Sequence, residues 1–192
     1  MPVTSRVGLD NLRKTLENNL PTISTPVTLV CIASSPYICS QAKRVIKEVL
    51  DDWDGEVAGN SVIVGRGSVL TFAKDFLPPD DLVIVWNETQ TFPFSMAQAF
   101  GNSFIEFPNA GLVASRGATL GIKYSNLYSD NSRQSPVIGE GLVEIDDLAE
   151  PTTFATRASS LLAFSEPDIS YGLWLRRCGF SNYVNTSIKP KM

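Results

Sequence analysis

The sequence predicts an α+β fold: an N-terminal helix and a strand-helix unit, followed by a mainly antiparallel sheet with one later packed helix. Two stretches within the first 54 residues carry apolar side chains every three or four positions, which indicates helices. Beyond Gly59 the pattern changes to short apolar runs separated by glycine, proline and asparagine, which is typical of strands joined by turns. A further stretch with helical spacing near residue 160 supplies the later helix.

The first three elements are a helix, a strand and a second helix. Residues 8–19 carry leucines at helical spacing and predict the first helix. Val27 to Ile32 is an apolar run rich in β-branched residues, which predicts a buried strand. Ser35-Pro36 offers an N-cap followed by proline at the first helical position, so the second helix begins there. It ends near Asp54-Gly55.

The pattern of the rest of the chain predicts short strands and turns with one later helix. The predicted strands are residues 61–64, 68–72, 82–86, 103–107, 112–115, 118–124, 137–145 and 169–175. Gly65-Arg66-Gly67 and Pro108-Asn109-Ala110-Gly111 carry the residues that close hairpins. Residues 95–100 predict a short helical turn, and residues 152–164 predict the later helix. Ser125 to Pro136 is a long polar loop.

Length and charge narrow the class of protein. A chain of 192 residues can bury roughly 70% of its unfolded surface, which predicts a single domain over residues 1–192. The net charge is −4, and the 16 basic residues do not gather into a patch of the kind that follows a phosphate backbone. No apolar run approaches the ~20 residues that cross a bilayer. We therefore expect protein partners, and neither nucleic acid nor a membrane.

Histidine is absent from the chain. This excludes Ser-His-Asp and Cys-His catalysis and imidazole metal sites. The three cysteines, Cys31, Cys39 and Cys178, match neither a disulfide framework nor a zinc knuckle, which favours a reducing compartment. Acidic pairs such as Asp80-Asp81 lie at the ends of predicted elements, where acids commonly serve as caps. We expect no metal and no cofactor, assign no catalytic residue, and disfavour an enzyme.

Residues 82–129, the charge-poor segment, carry four charged residues in 48. At the chain average of 19% charged residues the segment would carry about nine, so little charge is left for a solvated exterior. Five of the ten phenylalanines also lie there. Exposed apolar patches and aromatic anchors mark protein interfaces. We predict interface residues at Phe92, Phe94, Phe100, Phe104, Phe107, Tyr124 and Tyr128.

The composition favours a structural or assembly subunit of a multisubunit particle. Serine, threonine and asparagine make up 44 of the 192 residues, and the charged fraction is low. Such a surface suits a protein that is covered by copies of itself or by other subunits. A virion component, such as a phage tail or neck piece, is one particle of this kind. We therefore expect a homo-oligomer or larger assembly, located in the cytoplasm or, for a viral protein, in the virion.

The alternative is a small α/β enzyme or ligand-binding protein. Its site would lie at residues 33–36, between the predicted strand and the second helix, where open α/β sheets bind ligands. Tyr37, Cys39 or an acid from Asp80-Asp81 would then supply the chemistry. The glycine patterns of dinucleotide sites and P-loops are absent from this loop, and Ser34 or Ser35 is better suited to capping the helix than to binding a phosphate. A third hypothesis is a regulatory module that binds one protein partner.

Overall fold

The computed structural model describes residues 2–3, 6–19, 27–33, 35–52, 61–65, 79, 81–86, 91, 96–120, 134–136, 140–148, 153–166 and 169–188. Within these ranges the helices are α1 (Arg6–Asn19), α2 (Pro36–Asp51), α3 (Met96–Glu106), α4 (Ala158–Ala163) and α5 (Tyr171–Arg177). The strands are β1 (Pro2–Val3), β2 (Val27–Ala33), β3 (Ser61–Gly65), β4 (Leu82–Val85), β5 (Ala110–Ala114), β6 (Gly117–Leu120), β7 (Gln134–Pro136), β8 (Leu142–Ile145), β9 (Asp147–Leu148), β10 (Phe154–Arg157) and β11 (Ser181–Asn185).

The main sheet is mixed. Its order is β1-β2-β4-β10-β5-β11-β8, and β3 pairs with β2. Strand β2 is parallel to β1, β3 and β4, and β5 is parallel to β11. Strand β10 is antiparallel to both β4 and β5, and β8 is antiparallel to β11. The predicted α+β class is confirmed, whereas parallel pairs are more frequent than the sequence predicted.

The parallel half of the sheet follows from helix α2. Parallel strands cannot be joined by a tight turn, because the chain must return to the same end of the sheet. The 16 residues of α2 span about 24 Å and supply that return between β2 and β3. Ser35 caps the helix as predicted, since its Oγ accepts a hydrogen bond from the backbone N–H of Ile38 at 3.2 Å.

Four predicted elements have a different secondary structure, one of them the loop Ser125 to Pro136, whose last three residues form β7. Residues 103–107, predicted as a strand, lie mostly in α3, and residues 169–175, predicted as a strand, lie mostly in α5. The predicted helix 152–164 contains strand β10 before it becomes α4. Short apolar runs fit both periodicities, so tertiary pairing decides between them. Strand β11 was not predicted, and the predicted strand 68–72 lies outside the described residues.

Each face of the main sheet buries its own apolar cluster. The first cluster joins α1, α2 and α3 to the sheet, and its buried side chains include Leu12, Ile46, Ile84, Trp86, Phe100 and Val113. The second lies on the opposite face against α5, and its buried side chains include Leu112, Ile145, Trp174, Leu175 and Val184. The small sheet of β7, β6 and β9 adjoins this second cluster, because a Cβ on Gly117 would lie 2.5 Å from Ile145 Cδ1.

None of the helices in the described part of the chain has the length and apolar character needed to cross a membrane.

Helices α1 and α2 are joined at their surface by a small charged network. Glu48 on α2 accepts from Arg44 at 2.8 Å and from Arg13, which lies on α1. Arg13 also lies 3.9 Å from Glu17. Hydrogen bonds from Arg44 and then Arg13 lower the pKa of the Glu48 carboxyl below its ordinary value of 4.5. Exposed ion pairs contribute modestly to stability, so the network supports a contact that apolar packing already makes.

We expect Glu48→Gln to lower the melting temperature slightly at neutral pH, because the neutral amide loses both ion pairs. Since the pKa of Glu48 is lower in the folded state than in the unfolded chain, its stabilisation is complete well above pH 4.5. It disappears as the pH falls through the lowered pKa. Thermal unfolding of both proteins from pH 7 to pH 3 measures this difference.

Glu17→Gln is the matched control for that series. Glu17 lies on α1, and Arg13 is its one ion-pair partner among the described residues, at 3.9 Å, so we expect a smaller change in melting temperature. A Glu48→Gln difference that stays constant below pH 4 would contradict the proposed charge network.

Candidate interaction surface

Helix α3 is fixed to the sheet by its inner face. Met96, Phe100 and Phe104 recur every four residues and are all buried, which places them on one face of a helix. Phe100 is completely enclosed, and Phe104 is 8% exposed. Both belong to the first apolar cluster together with Ala110 and Val113 on β5. The rotation of α3 about its own axis is therefore set by core packing.

A buried polar chain holds the middle of α3 against the end of β11. Ser103 Oγ donates to the carbonyl of Ala99 at 2.8 Å, and Asn185 Nδ2 donates to Ser103 Oγ at 3.0 Å. The backbone N–H and the hydroxyl of Ser187 donate to Asn185 Oδ1 at 3.0 and 2.5 Å. Because breaking one member would leave buried polar atoms unpaired, this chain fixes α3 specifically.

The C-terminal end of α3 is held by contacts with β10 and β11. The Arg157 guanidinium lies 5.4 Å from the centroid of the Phe104 ring and donates to the carbonyl of Pro108 at 3.1 Å. The rings of Phe107 and Tyr183 are 4.8 Å apart. A cation over an aromatic ring and two tilted rings both add to simple burial. The end of the helix is thus held in place.

The outer face of α3 consists of Gln98, Asn102, Ile105 and Glu106, all of which are exposed. These residues fall within one arc of the helix, with Asn102 near its centre, because each residue turns the helix by about 100°. Ile105 is 71% exposed, and Glu106 is the only charged residue of the helix. The result is a nearly uncharged surface with an isoleucine in water.

Helix α2 shows the outer face of an ordinary surface helix. Its exposed residues include Lys43, Arg44, Lys47 and Asp51, so charges of both signs lie there. Such a face keeps its hydration when the protein is free in solution. The exposed Tyr37 lies at the opposite end of α2 from Asp51. The two helices pack on the same apolar cluster, so their different outer faces do not reflect different core positions.

The structure corrects part of the predicted interface. Phe100 and Phe104 were predicted as interface residues, but their rings lie inside the first apolar cluster and are not available to a partner. The reason is that they share the helix face that meets the sheet. Phe107 is half-buried against the same cluster. Phe92, Phe94, Tyr124 and Tyr128 lie outside the described residues, and their roles stay predictions.

The residues of the outer face are absent from the predicted interface. Gln98, Asn102 and Ile105 follow the four-and-three spacing of one helix face, opposite Phe100 and Phe104. That spacing is visible in the sequence, but it has meaning only for a helix, and the sequence predicts a strand at residues 103–107.

The alternative site at residues 33–36 is described in part. Ser35 serves as the helix cap, so its Oγ is engaged by the backbone N–H of Ile38. Cys39 is a free, half-buried thiol that packs beside the first apolar cluster, and Tyr37 is 69% exposed. Ser34 and Asp80 lie outside the described residues. Within the described ranges no three acids or cysteines are grouped so that they could hold a metal ion.

A second buried polar group lies on the opposite face of the sheet. Thr156 Oγ1 donates to the carbonyl of Gly111 at 2.7 Å and lies 2.8 Å from the Tyr171 hydroxyl. The Tyr171 ring also packs between Phe154, Phe164 and Trp174. Burial raises the pKa of the Tyr171 phenol well above its ordinary value of 10, so the phenol stays protonated. The hydrogen bond between Tyr171 and Thr156 therefore has a structural role inside the second cluster.

We expect Phe100→Ala to lower the free energy of unfolding by about 3–5 kcal/mol, because it removes an enclosed ring. Ile105→Ala on the same helix shortens an exposed side chain, and its effect should stay within about 0.5 kcal/mol. Urea unfolding followed by circular dichroism, at concentrations that keep the chain monomeric, measures both values. Equal losses for the two variants would contradict the assignment of Phe100 to the core.

Two comparisons of this chain, with protein-family models and with curated proteins, found no match. No protein-family model matches it, and no curated protein matches its sequence.

Proposed function

We propose that this chain is a structural subunit of a multisubunit assembly, and that the outer face of α3 forms one of its intersubunit contacts. The observation that carries the proposal is a helix face on which Glu106 is the one charged residue and Ile105 is 71% exposed. Interface cores are depleted of charge in the same way. This surface replaces the buried phenylalanines as the contact.

The energetics of burial favour covering this face. Burying an isoleucine that is otherwise in water contributes about 1.5–3 kcal/mol. The neighbouring Gln98 and Asn102 carry amides, whose desolvation is far less costly than that of lysine or aspartate and is offset by hydrogen bonds. The outer face of α2, with Lys43, Arg44 and Lys47 exposed, would lose strongly hydrated charges on burial. A neighbouring subunit would therefore bind at α3 in preference to α2.

We propose more narrowly that the assembly is part of a virion, such as a phage tail or neck, and that this chain is one of its subunits. Its subunits repeat many times in contact with one another, so surfaces rich in uncharged polar residues are suited to them. The content of 44 serine, threonine and asparagine residues in 192 supports this narrower proposal.

We expect the purified chain to have a molar mass above 20.9 kDa, increasing with concentration, when it is measured by size-exclusion chromatography with light scattering. Ile105→Lys places a charge in the outer face of α3 and should return the mass toward that of the monomer. The physical reason is that a buried, unpaired ammonium is strongly unfavourable.

Tyr37→Lys is the matched control, because Tyr37 is 69% exposed and Ile105 is 71% exposed, on two different helices. It should leave the measured mass unchanged. A wild-type chain that remains monomeric at millimolar concentration would refute the proposed function, and an equal effect of both lysine variants would refute the assignment of the contact to α3.

A further inference from the structure

The outer face of α3 is complementary to itself. Counting outward from Asn102, the positions four residues away are Gln98 and Glu106, and the positions three residues away are Ala99 and Ile105. One member of the first pair donates hydrogen bonds and the other accepts them. One member of the second pair is small and half-buried, and the other is large and exposed. A hydrogen-bond donor on one side of Asn102 is therefore matched by an acceptor on the other side, and a small side chain is matched by a large one.

This pattern is what an antiparallel helix pair requires. A two-fold axis through the centre of such a pair places residues that lie equally far before and after the central position opposite each other. With Asn102 at the centre, Gln98 faces Glu106 of the second copy, and Ile105 covers Ala99 of the second copy. The two Asn102 amides face one another, and an amide can donate to and accept from its own copy.

We propose that the partner at this surface is a second copy of the chain, an inference that rests on the proposed function. The α3 helices of the two copies pair antiparallel about a two-fold axis at Asn102. Charge favours this partner. The chain has a net charge of −4, so two copies repel each other overall, whereas this face brings only Glu106 from each copy. The two Glu106 positions lie about 12 Å apart along the axis, and each faces a donor from Gln98.

The size of α3 sets the strength of the pairing. Eleven residues form a helix about 16 Å long, which is too short to bury the ~800 Å² per partner of a standard interface. The helix pair alone should therefore associate weakly, and further contacts must complete a stable assembly.

Cysteine cross-linking tests the geometry directly. Packed helix axes lie about 8–10 Å apart, which brings two Cβ atoms on the two-fold axis to the ~4 Å that a disulfide needs. Asn102→Cys meets this requirement, whereas two copies of Gln98→Cys are separated by about 12 Å along the axis. Both residues are exposed, so neither change disturbs the core. The background is Cys178→Ser, because Cys178 is an exposed free thiol.

We expect Asn102→Cys to form the disulfide-linked dimer at least about tenfold faster than Gln98→Cys under mild oxidation, because only the former holds its two thiols in contact. A mixture of Gln98→Cys and Glu106→Cys should cross-link faster than either variant alone, since these positions face each other. Non-reducing electrophoresis and mass spectrometry of the linked peptides measure the rates and the pairs.

Equal rates for Asn102→Cys and Gln98→Cys, or no dimer from Asn102→Cys, would overturn this pairing. If the wild-type chain still assembles and Ile105→Lys still lowers its mass, the proposed function stands and only the antiparallel pairing is wrong. If the chain is monomeric at all concentrations, both proposals fail.

Discussion

The burial of Phe100 is the interaction on which the other features of the surface depend. A helix that packs on a sheet can rotate about its axis, and every rotation exposes a different set of side chains. The enclosed ring of Phe100 removes that freedom. The hydrogen bond from Asn185 to Ser103 holds the helix in the same rotational position. Asn102 and Ile105 face solvent as a consequence of this packing. The outer face of α3 is thus as well defined as the core beneath it.

The mixed sheet explains how α3 comes to lie beside both ends of the chain. Strand β10 is inserted between β4 and β5, although it follows them by about forty residues or more, and β11 pairs with β5 from the C-terminal end. Such non-local pairs are specified by packing between distant segments. Gly111 shows how close that packing is, since a Cβ there would lie 2.8 Å from Phe180 Cβ. The sheet therefore brings Arg157 and Asn185 to neighbouring residues in the C-terminal half of one helix.

The sequence predicted the elements that carry their own local signals. Helices α1 and α2 were predicted because each is long and periodic, and the Ser35 cap gave the start of α2. Helix α3 was only partly predicted, because residues 103–107 form a short apolar run with two phenylalanines, which also suits a strand, and Gly101 interrupts the helical periodicity. The helix face that meets the sheet is decided by β5 and β11, which are distant partners. Phenylalanine content alone could not separate the core from the surface.

The shortage of charge in residues 82–129 is explained by the core for some of the described residues and not for others. Strand β5 is buried at all five positions, and Phe100 and Phe104 are enclosed, so charge is excluded there by the core itself. The outer face of α3 is not subject to that constraint, because helix α2 packs on the same cluster and carries Lys43, Lys47 and Asp51 outward. Core packing thus permits charge on an outer face. Core packing therefore does not account for its near absence on α3, whereas the proposed contact with another subunit would account for it.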